Sequence, residues 1–222
     1  MATSQSPAKA RLYYTKSRGL AAKVRMMLCV AEIPFEDVFI TERSHFLEIS
    51  EKLTFRQTPG LEINGMFLSQ SNAVVRYLAS KCNMFGTNPE EQVKIDILFD
   101  GSRDWMQNFT MIGFFVTKEE TLAKGKVDME KYCPIFEKEL ENNKTGFLVG
   151  NAMTLADIGL FEVVLSIEEY YGMASLDRFP NIKAHLAKMK SDKRLQNYLE
   201  NYRMPTVTPE RVKEIKAIIN MK

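Results

Sequence analysis

Two hydrophobic periods alternate along the first eighty residues. Leu12-Tyr13-Tyr14 is a short β-prone run that ends at the polar loop Thr15 to Gly19. Beyond it Leu20, Val24, Leu28 and Ala31 recur at helical spacing, which predicts a first helix over about Ser17 to Ala31. Pro34 blocks its continuation, and Phe35 to Ile40 reads as a second strand. Parallel strands need a crossover of this kind, so the two should lie side by side with the helix on one face. Thr41 to Lys52 is charged and weakly helical. Leu61 to Ile63 and Met66 to Leu68 flank Asn64-Gly65, a hairpin signal because both central residues of a type I′ turn need positive φ. The polar cluster Ser69 to Asn72 then caps a helix reaching about Cys82. The order βαβαββα predicts a small α/β domain with a mixed four-stranded sheet.

The pattern changes after residues 83 to 88, NMFGTN, where Pro89 suits the first turn of a helix. From there apolar residues recur only at three and four: Val93, Ile97, Leu98, then Trp105, Phe109 and Ile112. A second helix runs from Glu119 to Asn142 with Pro134 inside it. Thr154 to Asp157 has the form of a capping box, and the segment it starts, Ile158 to Tyr170, is apolar almost all round and belongs at the centre of its domain. Short helices follow at Ile182 to Lys190 and Lys193 to Asn201. After Pro205 and Pro209 a last amphipathic helix covers Glu210 to Met221. The expected organisation is a frayed tail over 1–10, an α/β domain over 11–83, a linker over 84–88 and an all-helical domain over 89–222.

Composition narrows the chemistry by exclusion. An apolar fraction of 45% and a charged fraction of 26% are those of an ordinary globular protein. A net charge of +2 is too slight for a nucleic-acid partner, which would show a clustered basic face. Cys29, Cys82 and Cys133 are far apart with no metal-ligand spacing, so neither a metal site nor a disulfide framework is expected, and a reducing cytoplasmic setting fits. No stretch reaches the roughly 18 apolar residues of a membrane span.

Several separated motifs carry a resemblance. They are LYY followed by SRG in the first turn, QTPGLEINGMFLSQSNAVVRYLA, the segment LVGNAMTLADIGL, and the helix after Pro205. Over about residues 11 to 221 the chain resembles a cytosolic glutathione transferase, the alpha class most and the sigma class next. The resemblance implies a thioredoxin-like first domain that binds glutathione as co-substrate, a helical second domain that supplies most of a hydrophobic pocket, no metal or other cofactor, and a homodimer.

It also implies site residues. Tyr14 matches the tyrosine whose hydroxyl donates to the glutathione sulfur. A thiol of pKa about 8.5 is mostly protonated at pH 7, and only the thiolate is a good nucleophile. Lowering that pKa by about two units needs roughly 2.7 kcal/mol of preferential thiolate stabilisation, and one charge-assisted hydrogen bond of about 1.5–3 kcal/mol supplies most of it. Pro59 matches a cis-proline that presents the Thr58 backbone to the peptide part of glutathione, with Gln57 beside it. Gln70 and Ser71 match the pair that holds the γ-glutamyl carboxylate at a helix N-terminus. Asp104 matches an acid that reaches the γ-glutamyl amine in the neighbouring subunit, with Lys131 as the basic residue near it. Thr15, Ser17, Met111, Phe114, Ile219 and Met221 are expected to line the co-substrate pocket, the last helix acting as a lid, and Phe55 matches the aromatic key inserted into the partner subunit.

Two positions depart from the alpha-class pattern. Leu20 stands where a second arginine helps lower the thiol pKa, and Glu48 stands where a basic residue meets the glycine carboxylate. Arg43, Lys52 or Arg56 could serve that carboxylate, and spacing does not choose among them. The expected activity is conjugation of glutathione to small hydrophobic electrophiles, with reduction of organic hydroperoxides beside it. The alternatives are a non-catalytic glutathione-transferase-like binding or structural dimer, and an isomerase that uses glutathione as helper.

Overall fold

The computed structural model describes residues 9–110, 114 and 117–220. Among the described residues four strands occur, all before residue 70: β1 (Ala10–Tyr14), β2 (Phe35–Phe39), β3 (Gly60–Ile63) and β4 (Met66–Leu68). They form one mixed sheet in the order β2-β1-β3-β4. β1 pairs parallel with β2, Ala10 opposite Phe35 and Tyr14 opposite Phe39, and antiparallel with β3. Asn64 and Gly65 both have positive φ, 51° and 77°, as the hairpin between β3 and β4 requires. β1 begins at Ala10, which is buried, so Ala10 belongs to the sheet and not to the tail expected over 1–10, of which 1–8 lie outside the described residues.

The crossover from β1 to β2 is α1 (Ala22–Val30), entered through a 3-10 turn at Gly19–Ala21 rather than by a helix starting at Ser17. All nine residues of α1 are buried, Lys23 and Arg25 included. Leu20, expected on the core face of that helix, is 37% exposed because the 3-10 turn rotates it away from the core. α2 (Arg43–Glu51) precedes the hairpin and α3 (Ser71–Lys81) follows it. The polar cluster before α3 does not cap it by a side chain. Gln70 stands at the N-cap with φ 65° and ψ 98° and no side-chain capping bond.

Among the described residues the later elements are helical: α4 (Pro89–Thr110), α5 (Lys118–Asn143) running through Pro134, α6 (Leu155–Tyr171), α7 (Pro180–Ser191), α8 (Lys193–Asn201) and α9 (Pro209–Ile219). The first thirteen residues of α6 are buried, as its all-round apolar sequence requires. One continuous apolar core runs from Leu12 and Leu28 to Trp105, Phe161 and Leu195, so α1 packs directly on the helical half. Met84, in the expected linker, belongs to that core, and its carbonyl accepts from the Leu155 N–H. On α4 the expected stripe splits. Leu98, Trp105 and Phe109 are buried, whereas Val93 and Ile97 are 57% and 64% exposed on the opposite side, and Ile112 lies outside the described residues.

The start of α6 is fixed by a polar knot. Asp157, fully buried, accepts from the Thr154 N–H at 2.8 Å, the Thr154 hydroxyl at 2.9 Å and the Leu148 N–H at 2.9 Å, and meets His185 Nε2 at 3.0 Å. Replacing Asp157 by Ala removes a helix cap and strands buried donors. The expected loss is about 3 kcal/mol, read from urea denaturation, with the urea midpoint of Lys52→Ala, an exposed change, essentially unmoved.

Candidate active site

A cavity of about 630 Å³ opens between the sheet domain and the helices. Its walls differ in kind. One is built from the first eighty residues: the first turn from Tyr14 to Leu20, the loop Arg56-Gln57-Thr58, and the inner face of α2. Arg43, Phe46, Leu47 and Ser50 reach the cavity from α2 because spacings of three and four put them on one side of the helix. The other wall is mostly apolar, from Met106 and Phe109 on α4, Phe114, Tyr170 on α6, and Ile215 and Ile219 on α9.

Tyr14 stands at the seam. As the last residue of β1 it enters the first turn, and its hydroxyl rests against Gly19: a Cβ there would come within 2.5 Å of the oxygen. The Leu20 N–H donates to that oxygen at 3.3 Å, which leaves the phenolic hydrogen for another acceptor. Burial pushes the Tyr14 phenol above its ordinary value, and the Leu20 bond and the Arg25 charge offset this only in part. Tyr14 therefore keeps its proton at neutral pH. Its neighbour Tyr13 points to the other face of the sheet, donates to Glu62 at 2.8 Å and is pushed up to about 12, first by burial and then by that carboxylate.

The turn itself is held from beneath. Arg25 on α1 is fully buried, donates through Nη1 to the Ser17 carbonyl at 2.9 Å and meets Asp37 of β2 at 2.9 Å. Thr15 and Ser17 are buried and hydrogen-bonded to each other at 2.9 Å, so both of these expected pocket residues line the cavity with their hydroxyls engaged. A second support comes from α6. Glu169 takes Arg18 at 2.8 Å, Arg203 at 2.7 Å and the Thr206 hydroxyl, while Arg18 Nε donates to the Met204 carbonyl at 3.0 Å. Burial alone would raise the Glu169 carboxyl, but these donors and charges hold it below the usual range. Sequence reading missed both supports. Arg25 looks like a polar face residue of an amphipathic helix, and Glu169 meets partners more than thirty positions away.

The other expected site residues divide by place. Gln57, Thr58, Phe114 and Ile219 line the cavity, and Pro59 follows a cis peptide bond. Gln70 and Ser71 stand at the start of α3, off the lining, Ser71 buried and Gln70 exposed in a positive-φ conformation that is uncommon for its residue type. Lys52 is also off the lining and pairs with Glu48 one turn back at 3.3 Å, so among the described residues the cations on the wall are Arg43 and Arg56 together with Arg18. Asp104 on α4 and Lys131 on α5 are exposed, away from the cavity. Asp104 pairs with Arg103, and Lys131 is raised first by its bond to Tyr132 and in part by the Asp104 charge. Phe55 is 63% exposed. Met111 and Met221 lie outside the described residues. Cys29 and Cys133 are buried and pushed up to about 12, so neither is a thiolate at neutral pH. Among the described residues no group of three His, Cys, Asp or Glu is arranged for a metal ion.

The protonation state of Tyr14 is directly measurable. Ultraviolet difference titration of the native chain against Tyr14→Phe should show one tyrosine ionising above pH 10, and a midpoint below 10 would contradict the burial effect.

Comparison with known proteins gives this arrangement its setting. Residues 10–80 match the family model described as glutathione S-transferase, N-terminal domain, and residues 103–202 match the one for the C-terminal domain. Glutathione S-transferase A4 of Mus musculus is 34% identical over 201 residues, 87% of this chain and 89% of its own. Glutathione S-transferase 3 of Gallus gallus is 32% identical over 222 residues, 96% of each chain. Among solved structures, a Nu-class GST from Haemonchus contortus superposes with a TM-score of 0.74 at 30% identity, covering 90% of this chain and 98% of that one. Monomeric Na-GST-3, a glutathione S-transferase from Necator americanus, gives 0.78 at 26% identity, covering 90% and 100%. With a thioredoxin-like domain ahead of a helical one and relatives matched over nearly their full length, the chain belongs to the glutathione S-transferase family.

Proposed function

We propose that the chain transfers the thiolate of glutathione to small hydrophobic electrophiles, with Tyr14 as the catalytic residue. The observation that carries this reading is the Tyr14 hydroxyl at the seam of two unlike walls, its oxygen held by the Leu20 N–H and its own hydrogen available. Glutathione would lie along the wall of the first domain: the Thr58 backbone pairs with its peptide, Gln57 lies beside it, Gln70 and Ser71 hold the γ-glutamyl end, and a cation takes the glycine carboxylate. Lys52 is tied to Glu48 off the wall, which favours Arg43 or Arg56 for that last role. The thiolate then faces the apolar wall, where Phe109, Phe114 and Tyr170 give an electrophile a dry surface. The same thiolate would reduce organic hydroperoxides.

Leu20 limits the thiol activation. No second arginine stands in the first turn, and Arg18 is committed to Glu169 and Met204, so Tyr14 carries most of the thiolate stabilisation. Detoxification in the cytoplasm is the role that fits such a reaction. The domain limits we propose are 11–83 and 89–222. A homodimer is the proposed assembly, with the exposed Phe55 as the inserted key, Val93 and Ile97 as apolar surface in want of a cover, and Asp104 with Lys131 serving the partner's glutathione.

Conjugation of glutathione to an aromatic halide tests the reading. Tyr14→Phe should lose at least about tenfold in kcat/KM, near 1.4 kcal/mol of transition-state stabilisation, and Leu20→Arg should gain. A native rate no faster than the uncatalysed one would leave a binding or structural dimer as the function. For the assembly, sedimentation should give a dimer for the native chain and a shift toward monomer for Phe55→Ala. A native monomer would contradict it.

A further inference from the structure

We infer that Arg43 couples glutathione to the C-terminal helix, one guanidinium serving both as the cap of α9 and as a receptor for a glutathione carboxylate. The inference rests on the proposed glutathione site and adds to it the residue through which α9 takes part. α9 does not lie against the helical half alone. Ile218 is buried in a cluster with Tyr13, Ile40, Phe46, Ile49 and Leu53, all of the first domain, while Ile215 and Ile219 face the cavity. The polar tie at the end of α9 comes from the same domain: Arg43 Nη1 donates to the Ile218 carbonyl at 3.1 Å. That carbonyl is one of the last four of the helix, which have no partner within it and carry the negative end of its dipole.

Three facts make this tie more than a surface contact. Arg43 lies on the cavity wall, on the same face of α2 as Phe46, Leu47 and Ser50 and on the wall that includes Thr58. Its guanidinium rests over the Phe46 ring, 5.1 Å from the centroid, which restricts the side chain. Among the described residues only Nη1 has a hydrogen-bond acceptor, and none of them takes the donors of Nε and Nη2. A planar fork with five donors can hold a carboxylate on one edge and a helix carbonyl on another, which the single ammonium of a lysine cannot do as well. A bound carboxylate fixes the fork, and a fixed fork holds α9. By linkage a docked α9 must strengthen the hold on glutathione by the same factor. The position occupied by Glu48 therefore loses its role to a residue five places earlier on the same helix.

The test reads both ends of the coupling in the full-length chain. Glutathione binding is measured by calorimetry, and docking of α9 by hydrogen exchange of its amides from Val212 to Ile219, with and without glutathione. In the native chain glutathione should slow exchange in α9 severalfold. Arg43→Gln should weaken glutathione binding about tenfold and abolish that protection. Arg43→Lys, which keeps the charge, should recover more of the affinity than of the protection. Native affinity in Arg43→Gln, or α9 exchange in the native chain that ignores glutathione, would overturn the inference while leaving the glutathione site standing. A native chain that binds no glutathione would overturn both.

Discussion

A guanidinium with no solvent contact ties the first turn, which lines the cavity, to the helix and strand beneath it. Arg25 rises from α1, meets Asp37 on β2 and takes the Ser17 carbonyl of the first turn. A buried charge is tolerated when it is paired, and here Nε meets the Asp37 carboxylate while Nη1 holds the turn at the Ser17 carbonyl. Above it Gly19 passes against the Tyr14 side chain and the Leu20 N–H meets the hydroxyl. Tyr14 is thus oriented by backbone, and the backbone is oriented by a charge that never reaches the cavity.

The unlike walls follow from topology. Strands and their connections make the first domain, and their loop ends offer backbone groups and short polar side chains to the cavity. The second domain offers helix faces, and a helix face turned inward is apolar. α9 is the exception that joins them, since its sequence comes last but its buried residue Ile218 packs on the first domain. Glu169 does the corresponding work at the other side, drawing Arg18 of the first turn and the segment before α9 to one carboxylate. The cavity is closed by long-range contacts at both ends, and neither depends on a local sequence pattern.

That distinction explains what was legible in the sequence. The Asn64-Gly65 hairpin, the Thr154 and Asp157 cap and the buried α6 are local patterns, and each formed where the spacing put it. Gln70 departs from the ordinary polar cap that its cluster suggests, because a polar cluster before a helix does not reveal a backbone turned to positive φ. Leu20 fitted a helical repeat and yet faces the cavity, since the helix begins two residues later through a 3-10 turn. Val93 and Ile97 fitted a core stripe and are exposed, which a repeat of three and four cannot show without the neighbouring helix in place. Among Arg43, Lys52 and Arg56, spacing alone does not show that Arg43 and Arg56 reach the cavity wall while Lys52 lies off it, tied to Glu48.

In the proposed reaction a neutral Tyr14 hydroxyl donates a hydrogen bond to the glutathione thiolate and keeps its proton. The most direct measurement is the pKa of the bound thiol, followed by thiolate absorbance in the native chain and in Tyr14→Phe. The native complex should titrate below the free thiol value of about 8.5, and the variant should return toward it by about one to two units. An equal thiol pKa in the two complexes would contradict the role given to Tyr14.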